Sequence, residues 1–477
     1  MSRTDLSAGV ARVDITPPLG FRMQGIMRRT EGAVGIESAL TATVLVLGDE
    51  STKLVVLDCD LIGFDLAQAG QIRQAIAQRV GATPECVALG CTHTHNGPCT
   101  VPGILGAPYG EGADEELAAL KAYITNLVGL LVGAAAQADG ARVPARVAAG
   151  RGEAAAAVNR EERNEDGRIL VGRNPQGPVD HSVDVLRIDD LEGRPIAAVV
   201  GYAAHPVVMG MEIYEYSTDY PGVVRQVVEG ATGATCLFLT GAAGNQATWS
   251  FLQRDWGEKE RMGGLIGAEA AKVFFTIETR PHRVERRVDA SLSGLALYQK
   301  EFEEGPTHGI LRAATRLVEV PLQPLPSLDE ARAQLAEAED HLAQLVAGPT
   351  IRTHPAKMVV DWARMVLQKV EAGVEQESLS FEIVGYRLDD FVLLGMPGEP
   401  FVEIALAVKE RARAAHTMFA GYCNGILAYW PTPETVAQGG MAVEASVKTY
   451  GISAPPVSET AEIIVGAFAG VLDKLEL

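Results

Sequence analysis

The sequence predicts a mixed α/β fold, with β-sheets flanked by helices. Short apolar runs of strand length alternate with segments whose apolar residues recur at helical spacing, almost throughout the 477 residues. Five of those runs end in loops of small residues that carry an unusual polar side chain. α/β sheets build sites in this way, in the crevice beyond the carboxyl ends of their strands.

The elements follow in chain order. Residues 40–48 and 53–62 are apolar runs joined by the polar turn Asp49-Glu50-Ser51, a hairpin signal. Helical spacing covers 65–80, a buried strand 87–95, a helix 113–138 and a strand 145–150. A second hairpin pairs 183–189 with 195–205 around Glu192-Gly193; helix 221–229, strand 234–241 and helix 258–277 follow. Residues 280–325 change character, with weaker periodicity and clustered charge, and 327–346 and 355–373 read as polar-faced helices. Alternation resumes with strands 378–388 and 391–400, helix 401–415, strand 417–429 and a last helix near 457–474. No internal repeat, low-complexity tract or long linker is visible.

Composition narrows the function. Lys plus Arg number 41 against 61 Asp plus Glu, a formal charge of −20. Such a chain lacks the basic footprint of a nucleic-acid binder or of a protein seated on anionic lipid. Apolar residues make up 47% and charged residues 21%, enough for a large core. The first twenty residues contain no signal-peptide core, and no run approaches the roughly 18 apolar residues of a membrane span. The expectation is a cytoplasmic protein with a small-molecule substrate, no nucleic acid and no stable membrane association; a homo-oligomer is compatible with it. The six cysteines show no C-x-x-C spacing and read as reduced thiols.

The five loops are ALGCTHTHNGP, VVGYAAHPVVM, LFLTGAAGNQA, LLGMPGEP and GYCNGILAYWPTP. In an extended T-H-T-H, His93 and His95 would point to the same side, about 7 Å apart. His205 closes an apolar run, where a hydrogen-bonded core histidine is the alternative. Glu399 precedes a helix and could simply answer its free N–H groups. Tyr429 could be a plain strand-end aromatic. Taken together, imidazoles and a carboxylate with no zinc-finger cysteines are the donor pattern of a catalytic zinc site.

At these residues the sequence resembles the catalytic domain of the neutral/alkaline non-lysosomal ceramidase family. The likeness runs from A-G-V-A-R-V-D-I-T-P-P (8–18) through G-C-T-H-T-H-N-G-P, V-N-R (158–160), A-A-H-P, G-A-A-G, P-G-E and A-Y-W-P-T-P-E to Tyr450-Gly451. The resemblance implies a mononuclear zinc amidase in which His93, His205, Glu399 and Tyr429 hold Zn2+. It makes His95 the unligated acid–base histidine, Tyr429 an additional contact to the developing oxyanion, and Arg160 a substrate-contacting residue. Read alone, Arg160 lies in the charge-rich NREERNEDGR, where a solvated arginine is the alternative.

The departures from the family pattern are specific. Where the family carries G-D-V-S-P, this chain has Gly244 to Thr248, with Ala247 at the serine position. A second family tyrosine, twelve residues after the metal tyrosine, falls on Met441, and the chain ends soon after these motifs, where the family continues into an immunoglobulin-like domain. These differences point away from ceramide and toward a smaller or more polar N-acyl compound. An ester or lactone hydrolase on the same zinc site, and an inactive metal- or ligand-binding relative, are the alternatives. Asp219 reads as a helix cap or as a partner of a metal histidine, His181 as structural, and Trp249 and Trp430 as pocket-lining or packing residues. Ligands drawn from positions 93 to 429 make residues 1–477 one ceramidase-like domain, with 280–375 an insertion that shapes the pocket mouth.

Overall fold

The same order of elements recurs three times along the chain. The computed structural model describes residues 5–29, 31–102, 104, 113–289, 293–303, 309–345 and 350–477. The first unit has strands Ser7–Asp14, Thr41–Gly48 and Lys53–Cys59, a helix Leu66–Val80, strand Val87–Cys91 and a second helix Ala113–Gly140. The second repeats this order with Val143–Glu153, Ser182–Asp190, Pro195–Tyr202, helix Asp219–Thr232, Thr235–Thr240 and helix Trp256–Thr276. The third does so with Leu311–Pro321, Ser378–Leu388, Phe391–Gly395, helix Val402–Arg411, His416–Ala420 and helix Thr460–Lys474.

In every unit the first three strands pair antiparallel and the fourth runs parallel to the third. A parallel pair needs a crossover, and the first helix of each unit supplies it. Units one and two join through Ser7–Ala8 against Val143–Pro144 into one eight-stranded sheet; the third unit is a separate four-stranded sheet. The result is the mixed α/β architecture that the sequence predicts.

Local chemistry sets the crossover helices. Leu66–Val80 starts at a capping box in which Asp65 accepts from the Gln68 amide while the Gln68 side chain answers the Asp65 amide; it stops at Gly81, left-handed at φ 70°. The third and fourth strands are buried on both faces and therefore read as continuous apolar runs.

The repeat is an addition to the sequence reading, which finds none. The units share topology, but the spacers between first and second strands differ in length and structure: 15–40, 154–181 and 322–377. The second spacer forms strands Ala157–Arg163 and Ile169–Asn174, and the third a helix pair, Leu328–Leu345 and Thr350–Glu371. Within 280–375, Leu311–Pro321 is an integral strand of the third sheet, paired along its whole length with Ser378–Leu388, and His282–Asp289 with Leu295–Phe302 is a separate hairpin. Residues 290–292, 304–308 and 346–349 of that stretch lie outside the described residues.

Among the described residues one helix, Asp114–Gly140, is long and apolar enough by length and composition to cross a membrane, where the sequence reading sees no such run. Its leucines, valines and alanines raise its mean hydropathy. Its Tyr123, Leu127, Leu131 and Ala135 pack onto the first sheet, while Lys121, Thr125, Asn126 and Gln137 face out, the pattern of an amphipathic helix lying on a sheet with one face.

The inward faces of all three units meet in one apolar cluster that includes Leu47, Leu54, Leu186, Val199, Leu237, Leu393 and Met418. Around it, each crossover helix sends one cation to a carboxylate of a neighbouring unit. Arg225 of the second unit holds Asp58 and Asp60 of the first at 2.8 and 2.6 Å. Arg73 of the first holds Glu382 of the third at 2.6 Å, and Lys409 of the third holds Asp180 and Asp184 of the second at 2.8 and 3.0 Å.

Two outcomes follow from these contacts. Arg225→Ala leaves two buried carboxylates without their cation and is expected to lower the unfolding free energy by about 3–5 kcal/mol in urea titrations. Burial alone would raise the Asp180 carboxyl; the Lys409 ammonium and Ser182 override it and hold it below the usual range. As the folded form binds that proton less readily, its stabilisation is present above the ordinary carboxylate pKa and lost below it. In Lys409→Met, only Ser182 still opposes burial and the acid-unfolding midpoint is expected to move to higher pH.

Candidate metal centre at the strand ends of three units

The loops leaving the third and fourth strands of the units are tied to one another. Thr240 Oγ1 donates to Thr92 O at 2.7 Å, the Gly421 amide to Thr240 O at 3.0 Å and the Cys91 amide to Tyr422 O at 3.3 Å. The candidate residues stand in these loops.

His93 follows the fourth strand of unit one by two residues and has a left-handed backbone, φ 64°. Its amide donates to Leu61 O at 2.9 Å and its Nδ1 lies 2.6 Å from Ile62 O, which leaves Nε2 for the site. The strand ends at Cys91, so the T-H-T-H segment is not extended as the sequence suggests. The turn at His93 brings the His95 ring to 5.0 Å, centroid to centroid. His95 O is gripped by the Arg29 guanidinium, whose other nitrogen donates to Gly210 O at 2.7 Å. Gly25, at φ +95°, passes so close that a Cβ would lie 2.5 Å from His95 Nδ1.

His205 follows the third strand of unit two. Its amide donates to Gln246 O at 3.0 Å, its Nδ1 is 3.2 Å from Ala243 O, and its Nε2 is 2.9 Å from His95 Nε2. Glu399 follows the third strand of unit three and pairs side by side with Tyr429 in a two-residue parallel bridge. Its Oε2 lies 3.7 Å from His93 Nε2. Arg160 comes from the spacer of unit two. Its guanidinium donates to Gly244 O at 2.8 Å and to the Tyr429 hydroxyl at 2.9 Å, with Glu399 Oε2 at 4.0 Å. Far from being solvated, Arg160 is 6% exposed.

One ring nitrogen from each of His93, His95 and His205 lies within 4.8 Å of the others, all three side chains buried, a grouping that could hold a metal ion. Burial pushes His93 down to about 3, the Ile62 carbonyl opposing it, and drives His95 and His205 well below the usual imidazole range, with Arg160 adding to the effect. Neutral imidazoles are the form that binds a metal ion. Burial pushes Glu399 up to about 7 against the pull of Arg160 and its phenol partners. Three neutral nitrogens facing one point beside a carboxylate, with His93 Nδ1 held by a backbone carbonyl, fit a zinc ion.

Two tyrosines that the sequence reading does not assign to the site belong to it. Tyr450 donates to Glu399 Oε1, and Tyr422 lies 3.4 Å from Glu399 Oε2. Met441, at the position of the family's second tyrosine, packs against the core of the third unit. Ala247 is fully buried and bridges to His205. Asp219 opens its helix at φ 52° and accepts from the backbone amides of Tyr220 and Met209 at 2.7 and 3.2 Å, so its carboxylate serves the backbone. Trp430 is buried against Phe381 with its indole on Pro397 O, whereas Trp249 is 37% exposed beside Arg173. His181 is half-buried on the approach to strand Ser182–Asp190.

No family model and no curated protein matches the chain. Solved structures that share its fold include two ceramidases. Neutral ceramidase from Pseudomonas aeruginosa superimposes with a TM-score of 0.63 at 19% sequence identity, covering 99% of this chain and 74% of that one. A ceramidase complexed with C2 gives a TM-score of 0.65 at 18% identity, covering 99% and 75%. The chain therefore has a ceramidase-like α/β fold, in agreement with the resemblance carried by its motifs.

Proposed function

We propose that this chain is a zinc-dependent hydrolase of an amide bond in a small N-acyl compound. The observation that carries the reading is the meeting of three buried neutral imidazoles with Glu399 and the Arg160–Tyr429 pair. The fold shared with ceramidases supports the choice of an amide.

In this reading His93, His205, Glu399 and Tyr429 would hold the ion, which supplies a Lewis acid for the acyl carbonyl and brings the pKa of water towards about 7. His95, neutral at physiological pH, accepts the proton of the attacking water at Nε2 and returns it to the departing amine. Arg160, fixed by Gly244 O, orients the Tyr429 phenol and presents positive charge where the carbonyl oxygen becomes an oxyanion. No side-chain nucleophile is needed, which suits Ala247. Ala247 and Met441, where the family pattern has a serine and a tyrosine, support a smaller or more polar N-acyl compound than ceramide.

Hydrolysis of a panel of N-acyl amines, before and after chelation and after zinc is restored, tests the reading. Loss of turnover on chelation and recovery with zinc are expected; equal rates for the apo and loaded protein would refute it. Matched esters in the same panel separate an amidase from an esterase. His95→Gln separates proton transfer from ligation: kcat is expected to fall by about 10²–10⁴-fold while zinc stays bound at one equivalent. Loss of the zinc instead would make His95 a ligand.

A further inference from the structure

We infer that Tyr422 is a positioning residue of this site, the third unit's counterpart of His93. The inference rests on the zinc reading above. In the first unit the third and fourth strands end in register at Cys59 and Cys91, and in the third unit at Gly395 and Ala420. Two residues beyond those ends stand His93 and Tyr422. Both adopt the left-handed backbone that bulky side chains rarely take, at φ 64° and 52°. The second unit's fourth strand ends at Thr240, which puts Ala242 at the corresponding place. Of the three equivalent positions, one therefore carries an imidazole, one a phenol and one a methyl group.

The rings of His93 and Tyr422 stack, with centroids 4.1 Å apart and planes inclined by 29°. The Tyr422 hydroxyl lies 3.3 Å from His205 Nδ1 and donates to Glu399 Oε2 at 3.4 Å. One side chain thus touches a candidate donor from each unit: the ring of His93, the far nitrogen of His205 and the carboxylate of Glu399. With His205 Nε2 turned to the ion, its Nδ1–H is shared between Ala243 O and the Tyr422 oxygen, and the Tyr422 proton is left for Glu399. Hydrogen bonds of this kind, behind the ligands, fix imidazole and carboxylate orientation and typically alter metal affinity by 10–100-fold when removed. Tyr450 holds the other oxygen of Glu399, so the carboxylate is gripped on both sides. Strained backbone persists where surrounding structure over-determines it, and such places gather at functional sites.

The experiment compares zinc affinity, by competition with a chromophoric chelator, in the parent protein and in Tyr422→Phe, with the metal-free melting temperature as a control on folding. Tyr422→Phe keeps the ring and loses the hydroxyl. The expected result is a zinc dissociation constant raised about 10–100-fold with the melting temperature of the metal-free protein nearly unchanged, and a lower kcat at saturating zinc with KM within about twofold. Should Tyr422→Phe not fold, Tyr422→Asn, whose side chain tolerates the left-handed backbone, is expected to show the same loss of affinity. A parent that binds zinc and a variant that binds it equally well overturn the inference alone. A parent that binds no zinc overturns the reading on which it rests, and the inference with it.

Discussion

The site exists because three units are locked together by charge pairs, buried at two of the three junctions. Arg225, Arg73 and Lys409 each stand on a crossover helix and each reaches into a different neighbouring unit, so the contacts run from second to first, first to third and third to second. Burying a cation and its carboxylates without good geometry costs several kcal/mol. Placed at the junctions, these groups penalise any other relative arrangement of the units. The apolar cluster beneath them adds non-directional attraction, and the ion pairs set the angle. The Asp60 carboxylate held by Arg225 is also the last residue before Leu61 and Ile62, whose carbonyls fix His93. The lock between units and the aim of a candidate ligand are thus adjacent in the chain.

Much of this was legible in the sequence. Third and fourth strands, buried on both faces, appear as unbroken apolar runs, and the polar residues that follow them stand out against small neighbours. Those loops contain His93, His95, His205, Glu399 and Tyr429. The first strands were harder. Ser7–Asp14 and Leu311–Pro321 each carry charged residues on a half-solvated face, and Leu317 is 71% exposed, so their alternation is blurred. The triplication left no trace in the sequence, because topology recurs while side chains and spacer lengths do not.

The residues that the sequence reading left outside the site were missed for a common reason. Tyr422 and Tyr450 look like ordinary core aromatics; their importance comes from partners far away in the chain, Glu399 above all. Arg160 posed the opposite problem. Its strand runs from a buried start to an exposed end, so charge follows it in sequence while its own side chain turns inward to Gly244 and Tyr429. Only the family resemblance singled it out. Arg29, which grips His95 O, sits in a loop whose local sequence offers no signal for that contact.

The drawing of one donor from each unit has a thermodynamic consequence. His93, His205 and Glu399 come from the first, second and third units, and an ion that binds all three binds only when the units are assembled. Ligand linkage then adds stability to the assembled state alone. A partly opened chain, with one unit detached, would forfeit the ion as well as the contacts at its edges. In the proposed function, metal occupancy would thus act as a clasp on the cooperativity of folding, suppressing partial opening of the very edges on which the reaction would depend.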